Sequence, residues 1–127
     1  MGASLAMQKA VVAALADMTA LTGVYDGPPA DAAAPYAVIG PDLLLDWSHK
    51  SGIGHEVRLL VTLWDDRPGG ARLRGLVGEA VARLRNLSGS WDGHRLVISR
   101  LQRAGVDGPE DGWRAGTIEL RLFSEQV

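Results

Sequence analysis

The stretch from Glu56 to Trp64 constrains this chain more than any other. Val57, Leu59, Val61 and Leu63 alternate with Arg58, Leu60, Thr62 and Trp64, so a strand here is apolar on both faces. Such a strand belongs in the middle of a sheet, with neighbours on either side. The rest of the chain must supply those neighbours and a layer to cover them.

Helical periodicity occurs twice. Over Leu5–Leu21, the residues Met7, Val11, Ala14, Leu15, Met18 and Leu21 form one apolar stripe, with Ser4 as the expected N-cap and Gly23 as the stop. Ala6, Ala13, Ala16 and Ala20 give the other side a smooth surface for solvent or a close neighbour. Over Ala71–Leu87, the stripe is Leu73, Leu76, Val77, Ala80, Leu84 and Leu87. Arg72 and Arg83 edge it on one side, Arg74 and Arg85 on the other. Gly75, Gly78 and Ala82 run along its back, and an interior glycine costs roughly 1 kcal/mol relative to alanine. Close approach of another backbone is the physical candidate for compensation.

Four further strands are expected, over Tyr36–Ile39, Leu43–Trp47, Arg95–Ala104 and Trp113–Phe123. Gly40-Pro41 is read as the end of the first, and Gly105–Asp111 as the loop between the last two. The order is α-β-β-β-α-β-β. Short links between consecutive strands favour an α+β fold, a mostly antiparallel sheet of about five strands with both helices on one face. With 127 residues and no dividing linker, residues 1–127 read as one domain.

Composition excludes several function classes. There is no cysteine, hence no disulfide framework, thiolate metal site or cysteine nucleophile. The net charge of −2 argues against a general nucleic-acid coat. No apolar run is long enough to span a bilayer. Met1–Lys9 lacks a basic start followed by an apolar stretch, so no secretory signal is expected. Charge is unevenly distributed. Residues 72–103 carry seven arginines against Glu79 and Asp92, a net of +5, between acidic flanks.

Chemistry-bearing patterns are absent. His49, His55 and His94 do not share a metal-binding spacing, and His49 and His55 read as exposed loop residues. Asp65-Asp66 before Pro68-Gly69-Gly70 reads as a turn and helix start rather than a cation site. Gly52-Ile53-Gly54 lies between strands and so is a hairpin tip, not a phosphate cradle. No enzyme, metal or cofactor is expected. The tryptophans say more. Trp64 reads as core, whereas Trp47, Trp91 and Trp113 border loops, where tryptophan serves as a lid on the core or a protein–protein anchor.

The order of segments carries a resemblance. A leading amphipathic helix is followed by Val24-Tyr25-Asp26-Gly27-Pro28-Pro29, then Pro35-Tyr36-Ala37-Val38-Ile39-Gly40, then Asp46-Trp47-Ser48 and a glycine-containing hairpin. A strand ending Val61-Thr62-Leu63-Trp64 and a second helix complete the series. Over nearly its whole length the chain resembles the tail-completion or tail-terminator (head–tail joining) proteins of long-tailed bacteriophages and gene transfer agents. The resemblance implies a structural virion protein at the tail–neck junction, assembled in the bacterial cytoplasm. It also implies a homohexameric ring that caps the tail tube, ends tube polymerisation and joins the tail to the neck. The implied partners are further copies of the chain, the tube protein, a neck or head-completion protein, and DNA passing through the lumen without specific binding; no membrane is involved. A neck adaptor without a capping role, and a small nucleic-acid-binding domain using the +5 segment, are the alternatives. Asp46, Trp47, Ser48 and Lys50 are expected contact residues from the resemblance and the loop tryptophan. Gly75, Gly78, Ala82 and Trp113 join them from the residue pattern.

Overall fold

The computed structural model describes residues 2–108 and 111–127. Pro109 and Glu110, within the loop expected over Gly105–Asp111, lie outside the described residues. The elements are α1 (Ala3–Ala16), β1 (Val24–Tyr25), β2 (Tyr36–Asp46), β3 (Gly54–Asp65), α2 (Ala71–Leu84), β4 (Gly89–Trp91), β5 (His94–Val106) and β6 (Arg114–Gln126). They form one six-stranded sheet in the order β1-β2-β3-β6-β5-β4. Only β1–β2 is parallel; every other pairing is antiparallel.

The doubly apolar strand is central, as its pattern requires: β3 pairs with β2 on one side and with β6 along its whole length on the other. Its two faces are nevertheless unequal. Val57, Val61 and Leu63 are wholly buried under the helices with Ile118, Leu120 and Leu122 of β6. Fully burying an aliphatic side chain of this size is worth about 1.5–3 kcal/mol. Leu60, Thr62 and Trp64 point to the opposite face, where no helix covers them, and are only half-buried. Trp64 is therefore not a core residue.

Both helices pack on one face and share a single apolar core. In α2 the buried stripe is Leu73, Leu76, Val77, Ala80 and Leu84, as the periodicity predicts. It ends before Leu87, where the Asn86 side-chain amide donates to the Ala82 carbonyl at 3.0 Å. Likewise α1 ends at Ala16 rather than Leu21. Past it the chain tightens into turns, with Met18 N–H donating to Leu15 O and Leu21 N–H to Met18 O, which still seats Met18 in the core. The N-cap of α1 is Gly2, not Ser4. The Ser4 hydroxyl lies inside the helix and donates to the Asp42 carboxylate of β2. Ala6 of the supposed smooth back is fully buried, together with Ala3 and Ala10.

The sheet departs from expectation at Gly40-Pro41. The two strands predicted there are one, β2, whose register with β3 shifts between Ile39 and Asp42. A bulge absorbs the proline, which has no N–H to give a ladder, and Gly40 takes φ +116°, a conformation open to glycine. The additional strands β1 and β4 have two and three residues and exist only as pairings to longer neighbours.

Candidate functional site

The expected contact residues fall on three separate surfaces. Asp46, Trp47, Ser48 and Lys50 sit together at the β2–β3 hairpin. Trp47 N–H donates to the Gly54 carbonyl at 2.9 Å, and His49 and Gly52 exchange backbone bonds across the tip. Ser48 organises the bend. Its hydroxyl donates to Asp46 Oδ1 at 2.7 Å, and its Oγ accepts from Gly54 N–H at 3.1 Å. The Ser48 hydroxyl holds the Asp46 carboxyl below the usual carboxylate range. Trp47 lies edge-on against Phe123 with ring centroids 5.1 Å apart, so half of it seals the sheet and half faces solvent. Lys50 and Ile53 are exposed at the tip.

Trp113 is at the other end of the sheet, separated by the length of the twelve-residue β3, about 36 Å. It packs edge-on against Tyr36, which packs edge-on against Tyr25, both with centroids 5.9 Å apart. With Trp64 and Val38 these rings form a half-buried aromatic patch on the helix-free face. Gly75, Gly78 and Ala82 lie on the outer face of α2, all exposed. A Cβ at Gly75 or Gly78 would meet nothing within 4 Å. Among the described residues nothing approaches them, so the close backbone expected as compensation is not found there.

The turn reading of Asp65 holds. Its side chain is buried and its Oδ1 accepts from Asp66 N–H at 2.9 Å. Arg72 of α2 grips it through two guanidinium nitrogens, Nε donating to Oδ2 at 3.0 Å and Nη2 to Oδ1. That pairing holds the Asp65 carboxyl below its ordinary range. Asp65 therefore ties the end of β3 to the start of α2. Among the described residues, no group of three His, Asp or Glu could hold a metal ion, and no helix is long and apolar enough to cross a membrane.

The histidine reading needs correction. His49 is exposed, bonded to Ser51 and Glu125, but His55 is half-buried and His94 is buried. Their rings meet edge-on at 6.1 Å. Sequence spacing missed this because β3 and β5 are brought together only through β6.

Sequence reasoning also missed a charged network on the helix-free face. Glu56 accepts from Arg121 Nε at 2.8 Å and from Arg58 Nε at 2.9 Å. Arg121, then the cost of burial, then Arg58 act on this carboxyl, and the net effect brings it down to about 2. Arg103–Glu119 and Arg95–Glu125 pairs flank it. The strand alternation of Glu119 and Arg121 was visible, but their partners lie 16 and 65 residues away.

A family model described as "Tail completion protein gp17" matches residues 5–125. A chain of the solved structure titled "Virion of native gene transfer agent (GTA) particle" is similar at 26% identity and a TM-score of 0.84. The match covers 98% of this chain and 99% of that one. Among curated proteins, none matches.

Proposed function

The chain belongs to the Tail completion protein gp17 family, and from that premise we propose that it is a structural virion assembly protein of the tail–neck junction. In this reading, copies close into a hexameric ring on the head-proximal end of the tail tube. The ring stops addition of tube protein and offers the surface to which the neck attaches, while DNA passes through the lumen unbound. The protein works by occupying a position and does no covalent chemistry.

One observation carries the reading: the near end-to-end structural likeness to a chain of a gene transfer agent virion, at 98% and 99% coverage. The helix-free sheet face supports the non-binding lumen. Of its arginines, Arg58, Arg95, Arg103 and Arg121 are each paired with a glutamate, whereas Arg100 lies exposed beside the Phe123 ring without a carboxylate partner among the described residues. The hairpin at Asp46, Trp47, Ser48 and Lys50 is the proposed tube contact. The bare back of α2 at Gly75, Gly78 and Ala82, and the Trp113 patch, are the proposed surfaces for neighbouring subunits or the neck.

The test is polymerisation of the tube protein with and without this protein, read by negative-stain microscopy. Rings on one end of each tube and a shortened length distribution are expected. A strictly monomeric species that neither binds tube ends nor limits their length would overturn the reading.

A further inference from the structure

Charge along the chain becomes polarity across the sheet. Between Lys9 and Lys50 there is no lysine or arginine, while Asp17, Asp26, Asp31, Asp42 and Asp46 all fall there. That segment runs from the second half of α1 through β1 to β2, and β1 and β2 form one edge of the sheet, with Asp42 and Asp46 on β2 itself. Six of the seven arginines of residues 72–103 fall on α2 and β5, with Arg85 capping the C-terminus of α2, and β5 with β4 forms the opposite edge. Three interstrand steps, about 14 Å, separate β2 from β5.

Both edges are open over the same height. The outer side of β2 is covered by β1 only at Ala37 and Val38, and that of β5 by β4 only at His94–Leu96. The register places Ile39 level with Ala104, through Val61 and Ile118, and Leu45 level with Ile98, through Glu56 and Phe123. Exposed apolar side chains lie along both: Leu43 and Leu44 on β2, Val97 on β5. Long open edges of this kind invite pairing. Three antiparallel steps also make β2 and β5 run in opposite directions. A second copy rotated about an axis along the strands therefore presents its β2 antiparallel to β5.

The charges at these edges lie on the same layer. Asp42 faces the helix side, where the Ser4 hydroxyl is its partner, and Asp46 is bonded to Ser48. Neither has an ion pair among the described residues. At the other edge, α1 meets one flank of α2, where Arg83 donates to the Ala14 carbonyl. Arg74 and Arg85 are on the opposite flank of the buried stripe, exposed and likewise without a carboxylate partner among the described residues.

We infer that the acidic β2 edge of one copy docks head-to-tail against the basic β5–α2 edge of the next. Two different surfaces that meet in this way are what a closed ring needs. The inference rests on the ring reading above and assigns the surfaces that make it.

Two variants reverse one edge each, Asp42→Arg, which leaves the proposed tube-contact hairpin untouched, and Arg74→Glu/Arg85→Glu. Self-association of the full chain is measured by sedimentation velocity at low ionic strength, with circular dichroism to establish that each variant is folded. Each variant alone is expected to associate at least ~100-fold more weakly than the natural chain, since like charges then face each other. An equimolar mixture is expected to recover to within about tenfold, because one variant has two basic edges and the other two acidic ones. Every junction of an alternating ring then joins opposite signs. The milder Asp42→Asn and Arg85→Gln changes serve if a reversal fails to fold, and each is expected to weaken association by roughly threefold to tenfold. Undiminished association of the folded variants, or no recovery in the mixture, overturns the assignment of the edges. Loss of tube binding with unchanged self-association also overturns it, since the edges would then serve another partner. If the natural chain itself never associates, alone or on tube ends, the ring reading falls instead.

Discussion

At Gly116 the side chains of α2 pack directly on the sheet backbone, and Gly116→Ala tests the packing that positions the helix on the sheet. The residue lies on β6 between Leu63 of β3 and Val106 of β5. A Cβ there would stand 2.5 Å from Val77 Cγ2 and 3.3 Å from Leu73 Cδ1. Ordinary contact begins at 3.4 Å, so Val77 must withdraw by about 1 Å. A valine in a helix has essentially one rotamer and cannot swing aside, so the helix itself must lift. Overpacking of this kind costs about 1–3 kcal/mol, and the stiffer unfolded chain offsets about 0.4–1 of it. The net expectation is a loss of about 1–2 kcal/mol, or roughly 3–8 °C in Tm. Equilibrium urea unfolding measures it, with an unchanged slope if the native state stays compact. The control is Val77→Ala, which removes the clashing methyl. In the double variant the two changes should be non-additive by about 1 kcal/mol or more, the valine truncation relieving the clash. A neutral Gly116→Ala, or a double variant additive within about 0.4 kcal/mol, would refute the close-contact argument.

Other perturbations separate stability from assembly. Arg72→Met leaves the Asp65 carboxylate buried without its counter-charge and is expected to cost about 3–5 kcal/mol in urea unfolding, while Asp65→Asn, which keeps the bonds from the Asp66 and Arg67 N–H groups, costs less. The Glu56 carboxyl titrates near 2 in the folded chain and at its ordinary 4.5 when unfolded. The unfolded state therefore takes up the proton first, and the stability Glu56 contributes is complete above pH 4.5 and lost as pH falls towards 2. Asp65 acts in the same direction below its ordinary 3.8, and Glu56→Gln should flatten the fall in Tm; a wild-type Tm that holds constant through this range contradicts the assignment. Gly75→Ala and Gly78→Ala meet no atom and should each raise stability by up to about 1 kcal/mol, yet weaken ring formation if that back receives a neighbour. Lys50→Glu should leave Tm unchanged and reduce co-sedimentation with tube ends.

What was legible in the sequence was what local periodicity determines. The buried stripe of α2, the centrality of β3 and the turn role of Asp65 follow from spacing and residue type alone. Gly40-Pro41 was misread because strand continuity there depends on β3, which carries the ladder past the bulge. Strands β1 and β4 carry no local signal, being two and three residues that pair only once β2 and β5 exist. The burial of Trp64 was misjudged because an apolar pattern does not say which face the helices take. The hairpin at Asp46–Lys50 could be found from its glycines, serines and tryptophan. The sheet edges could not, because which strand is an edge depends on the insertion of β6 between β3 and β5, a long-range choice.

The proposed ring of this chain stands at the junction of tube and neck. Electron cryomicroscopy of assembled particles carrying a tagged copy of the protein addresses it most directly. A single closed ring of six copies between the head-proximal end of the tube and the neck is the predicted result. Density for the tag elsewhere in the particle, or intact tails of normal length made without the protein, would contradict it.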